Sequence, residues 1–230
     1  MSGAALFIAV LLGGAALLSW PLGRYFTWAM APDAEAGPIR QRLDGLFERI
    51  AGHHAAKPRR WKGYATALLG FNAVMFALAV LVMSLQQHLP LNPDRLGAID
   101  ASLIFNTAAS FTTNTNLQHY SGEATLSYLT QLTLMWLQFV SAATGIAALT
   151  ALARGLTGAA TVGSFFVDVQ RATFLVLLPL AAVVALLFVL GGMPMTLSGA
   201  ARATTLEGAT QTIARGPVAA FVAIKQLGTN

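Results

Sequence analysis

Thirteen consecutive residues, Asn106-Thr107-Ala108-Ala109-Ser110-Phe111-Thr112-Thr113-Asn114-Thr115-Asn116-Leu117-Gln118, carry the groups in this chain best suited to binding chemistry. The run is rich in hydroxyl, amide and carbonyl oxygens. It has no Asp, Glu, Lys or Arg between Ile104 and Tyr120, and strongly apolar stretches flank it on both sides. Neutral oxygens in this density suit the replacement of a monovalent cation's hydration shell. A bilayer accepts irregular backbone at membrane depth only where protein buries it or where it lines a water-filled path. The first expectation is therefore an ion-conducting loop. A polar turn that satisfies its own backbone is the plainer alternative for such a segment taken alone.

The elements that must position this run are membrane spans. Charged residues make up 10% of the chain and hydrophobic ones 56%, against roughly 25% charged in soluble domains. Four apolar stretches, Ala4 to Pro21, Tyr64 to Leu85, Thr125 to Ala153 and Ala172 to Leu190, approach or exceed the ~20 residues that cross a hydrocarbon core. With no cysteine, disulfides and thiolate metal sites are excluded. The formal charge of +5 does not point to nucleic acid, because the basic residues cluster in one loop, as the positive-inside bias requires. The first stretch lacks a basic leading region, and Leu18-Ser19-Trp20-Pro21 is a poor cleavage site, so a retained helix is expected rather than a signal peptide.

The loop from Arg24 to Lys62 carries Arg24, Arg40, Arg42, Arg49, Lys57, Arg59, Arg60 and Lys62 against Asp33, Glu35, Asp44 and Glu48. Placing it in the cytoplasm puts the N-terminus outside, the stretch 86–123 outside, the loop with Arg154 and Arg171 inside, and the tail from Gly191 outside. The division expected is an N-terminal transmembrane helix over 1–23, a basic cytoplasmic loop over 24–62, a first repeat over 63–153 and a partial second repeat over 154–230.

Between the second and third spans, Asp100 can cap a helix from Ala101 to about Phe111. It is too short to cross, so it would enter from outside, stop part-way and return through Thr113 to Gln118. The same unit starts again after the fourth span: Pro217 suits the first position of a helix, and that helix ends on Gly228-Thr229-Asn230. Thr229-Asn230 would then stand where Thr113-Asn114 stands in the first unit, an internal repeat of span, short helix, polar loop and span.

At these residues the sequence resembles the KdpA family, the potassium-binding subunits of bacterial Kdp potassium-transporting ATPases. The resemblance rests on Pro21-Leu22-Gly23, Leu89-Pro90-Leu91-Asn92-Pro93, Thr113-Asn114-Thr115-Asn116 with Gln118, Tyr120-Ser121-Gly122-Glu123 and Thr125-Leu126-Ser127-Tyr128. It continues through Ser141-Ala142-Ala143 with Gly145-Ile146-Ala147, Gly216-Pro217-Val218-Ala219 and Ala223-Ile224-Lys225 to Asn230. It implies an all-α integral membrane protein with potassium-channel-like span, pore helix, filter and span repeats. Ten helices, eight of them in four repeats, would surround one pore. This chain would supply the extra first helix, one full repeat and part of a second, an N-terminal fragment that ends before the family's further glycines.

The resemblance implies roles residue by residue. Thr113, Asn114, Thr115 and Asn116 would form the first quarter of a potassium selectivity filter through backbone carbonyls and Thr hydroxyls. Gly228, Thr229 and Asn230 would begin the second quarter, with Gly228 free to adopt backbone angles closed to other residues. Gln118 would support the filter or face its mouth; a solvated loop glutamine is the alternative. The potassium ion is the bound species. Partners implied are the ATP-hydrolysing KdpB, with KdpC and KdpF, in the bacterial inner membrane. The chain itself would hydrolyse nothing, and it holds no G-x-x-x-x-G-K-[ST] phosphate loop.

Other residues carry weaker expectations. Glu123 would either concentrate cations at the outer mouth or sit favourably at a helix N-terminus. Gln131, Gln138 and Gly145 recur every seven residues on the third span and are read as helix packing through hydrogen bonds. Lys225, a cation just before a cation filter, needs a partner or an outlet to water. His53-His54 are read as a solvated pair. A stand-alone potassium channel or symporter of the same superfamily is the alternative function, disfavoured by the extra first helix and by Thr-Asn-Thr-Asn in place of a glycine-centred first filter. A membrane enzyme using Glu123, His119 and Ser121 is the alternative from another class.

Overall fold

The computed structural model describes residues 3–31, 37–115 and 117–228, with Glu123 represented by its backbone. Helix α1 (Gly3–Met30) is followed by α2 (Pro38–Ala51) and α3 (His53–Ala56) of the basic segment, and then by α4 (Trp61–Ser84). Helix α5 (Ala101–Thr112) and the single turn α6 (Gly122–Thr125) lie between α4 and α7 (Tyr128–Leu156). A rod over Phe165–Leu190 follows, made of α8 (Phe165–Arg171), a π-helical stretch at Ala172–Leu177 and α9 (Leu178–Leu190). Strands β1 (Ala201–Thr204) and β2 (Thr210–Ile213) form an antiparallel hairpin that pairs Ala201 with Ile213, and α10 (Val218–Gly228) comes last. Helices α1, α4 and α7 and the Phe165–Leu190 rod are each long and apolar enough to cross a membrane. Apart from the hairpin, which the apolar pattern does not announce, the fold is that of an all-α membrane protein.

Three boundaries differ from the apolar runs. Helix α1 continues past Pro21 to Met30, so the basic loop begins inside a helix and folds into α2 and α3. A proline costs one backbone bond but does not end a membrane helix, and the guanidinium of Arg24 packs 4.9 Å over the Trp20 ring. The fourth span starts at Phe165 instead of Ala172, because Asp168 and Arg171 are paired inside the protein and not exposed to lipid. Pro217 stands one residue before α10, where its carbonyl accepts from Phe221 N–H at 3.0 Å.

A buried ion network fastens the helix ends at the basic end of the bundle. Arg40 on α2 is wholly buried; its Nε donates to both Asp44 oxygens at 2.9 and 3.0 Å. Its Nη atoms cap the end of α1 through the carbonyls of Trp28, Ala29 and Ala31. Arg171 Nε donates to Asp44 Oδ1 at 2.8 Å, and its Nη1 lies 3.7 Å from Asp168. Arg154, near the end of α7, donates to both Asp168 oxygens at 2.6 and 3.0 Å, and Tyr64 of α4 donates to Asp168 at 3.1 Å. The Arg154 guanidinium fills the space beside Gly163 (φ +97°) that any Cβ would occupy. Tyr25 of α1 donates to the carbonyl of Leu175 in the π-helical stretch. Above the network an apolar core joins Tyr64, Ala143, Ala147, Phe165, Val176 and Ile224.

At the opposite end a second core holds α5 against α4 and α7, through Ala79, Met83, Ile104, Phe111, Leu134 and Leu137. Asp100 caps α5 as its position predicts, accepting from Ser102 N–H at 2.8 Å and Ser102 Oγ at 2.6 Å. Those bonds hold its carboxyl below the usual range. Gln86 closes the excursion that contains α5. Its Nε2 donates to the carbonyls of Gly97 and Thr125, while its Oε1 accepts from Ser127 N–H and Thr130 Oγ1. One buried amide thus joins the end of α4 to the start of α7.

Burial alone would raise the Asp44 carboxyl, but hydrogen bonds from Arg171 and Arg40 outweigh it and hold the group below its ordinary range. Its stabilising contribution is therefore present in full above the unfolded value of ~4. It is lost only as pH falls through the lower folded value. Asp44→Asn leaves two buried guanidinium groups facing each other, and removing one partner of such a network costs about 3–5 kcal/mol. Thermal unfolding of the purified membrane protein should show the variant melting below wild type by a constant margin from about pH 8 to about pH 5. That margin should close only in stronger acid.

Candidate ion-binding site

The oxygen-rich run begins as helix and is stopped by chemistry built into it. Thr113 caps α5, its N–H donating to Ala109 O at 2.9 Å. Asn114 then turns into the left-handed region at φ +63°. Thr115 N–H reaches back to Ser110 O at 3.0 Å, the six-to-one bond of a Schellman helix end. After glycine, asparagine is the residue best able to take that conformation. Asn114 is therefore first a helix stop, a role that its place in a polar repeat conceals. The Thr113 hydroxyl donates to Ala109 O at 2.8 Å, and the Thr115 hydroxyl lies 3.3 Å from both Ser110 O and Ser110 Oγ. Donating back onto α5 spends the hydroxyl proton and leaves oxygen lone pairs for another partner.

The structure brings the two candidate segments together. Asn114 Nδ2 donates to the carbonyl of Gly228 at 3.0 Å, and Asn114 Oδ1 accepts from Ser141 Oγ at 3.4 Å. The C-terminal ends of α5 and α10 thus meet, and each directs the negative end of its helix dipole to one place. Ser141 lies thirteen residues beyond Tyr128 on α7, about 20 Å along its axis at 1.5 Å per residue. Asn114 therefore sits near the middle of a spanning helix. Gly228 is the last residue of α10 and does not take a positive φ, contrary to the backbone freedom expected of it. The glycine matters for packing, since a Cβ there would come within 2.8 Å of Ala142 Cβ.

Gln118 is exposed beside this junction. Its Nε2 donates to Tyr120 Oη at 3.3 Å, and its Oε1 accepts from Lys225 Nζ of α10 at 3.2 Å. Burial raises the Tyr120 phenol above its ordinary value and keeps it a neutral hydroxyl. An open cleft of about 430 Å³ next to Gln118 is bounded by Tyr120, Gln131, Arg215 and Phe221. Lys225 thus has a partner in the first loop, the Gln118 amide.

Of the sequence candidates, Asn114 and Gln118 reach the end of α10 at Gly228 and Lys225, while Thr113 and Thr115 flank Asn114 and bond back onto α5. Asn116, Thr229 and Asn230 lie outside the described residues, as do Asp33, Glu35 and the side chain of Glu123. The Gln131, Gln138 and Gly145 stripe does not hydrogen-bond helix to helix among the described residues. Gln131 Nε2 donates to Leu126 O just before α7, and Gln138 is wholly buried with neither amide atom partnered there. Ser141, one turn from Gln138, is the α7 residue that reaches the loop. Its signal is the polar cluster at 138–144, which marks the helix face without singling out a residue.

These features define an all-α membrane protein in which two short helices end against an uncharged, oxygen-rich loop beside the middle of a span. The KdpA family, described as the potassium-transporting ATPase A subunit, matches residues 8–230, and the chain belongs to that family. A potassium-transporting ATPase potassium-binding subunit of Mesorhizobium japonicum is 49% identical over 227 residues, covering 97% of this chain and 40% of the relative. Proteins of the same description from Pseudomonas putida and Methylorubrum populi are 51% and 48% identical over 197 and 230 residues. They cover 84% and 98% of this chain and 34% and 40% of the relatives. The chain thus spans about two fifths or less of the length of the relatives it matches.

The Gly228 contact yields a packing test. Gly228→Ala should destabilise the protein by about 1–3 kcal/mol through overpacking. Adding Ala142→Gly should recover most of the loss by removing the opposing methyl. Thermal melts of the single and double variants check this; equal melting of both would place the cost elsewhere.

Proposed function

We propose that this chain is part of the potassium-binding and translocating subunit of an ATP-driven potassium import complex, and that the loop at 113–118 is the first quarter of its selectivity filter. The observation that carries the reading is the meeting of two helix C-termini, those of α5 and α10, on a neutral oxygen-rich loop at mid-span depth. Carbonyls at helix C-termini favour a cation, and neutral oxygens at close range replace its water. The names carried by the relatives agree with potassium as the ion.

In this reading α5 and α10 are pore helices of successive repeats, and α1 stands outside the repeats. The carbonyls of Thr113, Asn114, Thr115 and Asn116, with those of Gly228, Thr229 and Asn230, line two sides of a four-sided path. The remainder of the subunit supplies the other two sides. ATP hydrolysis belongs to a KdpB partner, with KdpC and KdpF completing the complex. The cluster of basic residues at 24–62 supports a cytoplasmic position for that end, and in this reading potassium enters the filter from the outer face of the inner membrane.

Gln118→Arg tests the reading in the purified complex by potassium-dependent ATPase activity. A guanidinium at the mouth repels the ion and displaces the amide. The potassium concentration for half-maximal activity should rise at least tenfold, while the folded complex is retained. An unchanged dependence would remove Gln118 from the ion path and shift attention to the Thr113 to Asn116 carbonyls.

A further inference from the structure

We infer that Lys225 is a positioning residue for the filter: its ammonium ties the first filter loop to the second short helix and sets the orientation of the Gln118 amide. The inference rests on the filter reading above. Lys225 Nζ donates to Gln118 Oε1 at 3.2 Å across 107 residues of sequence. An ammonium has only donors, so the amide must turn its oxygen toward Lys225 and its nitrogen toward a group that accepts. Tyr120 Oη, a neutral phenol, accepts that nitrogen at 3.3 Å. The amide is thus held at both ends, and its direction follows from donor chemistry.

Lys225 lies one helical turn before Gly228, whose carbonyl takes the Asn114 amide at 3.0 Å. The loop is accordingly pinned to α10 at two points, Asn114 and Gln118, and the segment between them spans the proposed ion-facing carbonyls. Asn114 fixes the deep end and Lys225 the outer end. Hydrogen bonds in which one partner is charged are shorter and stronger than neutral ones, so the lysine is the firmer anchor for an exposed glutamine. Two effects of opposite sign meet at this ammonium. Its charge repels an approaching potassium ion, but Lys225 is only half-buried and Gln118 is exposed, so that repulsion is screened by water and salt. The tether acts at contact distance and is not diluted in that way. Positioning is the larger effect.

The test is the potassium dependence of ATPase activity in the purified full complex, with Lys225→Met, Lys225→Arg and Gln118→Arg measured side by side. Lys225→Met keeps the aliphatic stem and removes donor and charge together. The potassium concentration for half-maximal activity should rise at least tenfold, while the maximal rate stays within about twofold. Lys225→Arg restores a charged donor of similar reach and should return the dependence to within about threefold of wild type. Rubidium substituted for potassium gives a second readout: Lys225→Met should narrow the preference for potassium, which a loss of general stability does not do. An unchanged or lowered potassium requirement in Lys225→Met overturns the inference, the lowered one by showing that repulsion dominates. If the methionine variant does not assemble, the same measurements on Lys225→Gln decide, with the same two directions. A shift in Gln118→Arg without one in the Lys225 variants refutes the lysine's role alone. No shift in either overturns the inference together with the place given to Gln118 in the ion path.

Discussion

Asp44, taken out of water between Arg40 and Arg171, is the contact on which the arrangement of the spans depends. Through Arg171 it reaches Asp168, and through Asp168 it reaches Arg154 of α7 and Tyr64 of α4. Arg40 carries the linkage on to the last carbonyls of α1. Charges in a low-dielectric interior are costly unless every one is paired. Here each carboxylate has at least two donors, and each donor comes from a different helix or helix end. Lipid tails offer no hydrophobic drive for one helix to choose another. A polar network of fixed geometry therefore supplies the specificity that apolar side chains lack in that solvent.

The opposite end of the bundle answers another demand of the same solvent. A chain that enters the membrane and turns back leaves helix-end carbonyls and loop amides without water. The structure satisfies them from within. Asp100 begins α5, the Ser110 carbonyl stops it, Asn114 spans to Gly228 and Ser141, and Gln86 draws together the two ends of the excursion. Carbonyl and hydroxyl oxygens are thereby gathered near the meeting point of two helix C-termini. In the proposed reading, the groups offered to an ion are those beyond the backbone's own requirements.

Much of this is legible in the sequence where the physics is local. Apolar runs locate four spans, Asp100 marks the start of α5, and the Thr-Asn run marks its end. The boundaries fail where charges are cancelled by distant partners. Asp168 and Arg171 look like a loop until Arg154 and Asp44 are brought to them, and Arg24 looks like a terminus although α1 continues to Met30. Lys225 is hard to read for a related reason, because Gln118, which accepts from it, lies 107 residues away. Gln86 gives no local sign of its four bonds. The hairpin at residues 201–213 carries no apolar alternation strong enough to announce it.

The passage of Arg154 over Gly163 also bears on how the chain assembles during synthesis. Arg154 and Asp168 sit fourteen residues apart on one helical hairpin, and the glycine leaves the guanidinium a clear way to the carboxylate. Closing so short a loop costs little entropy. The hairpin of α7 and the rod that follows can therefore leave the translocation machinery with its carboxylate already neutralised. Asp44 and Arg171, 127 residues apart, can join only once both halves are in place. One pair thus needs only a short turn of chain, and the other needs both halves of the bundle.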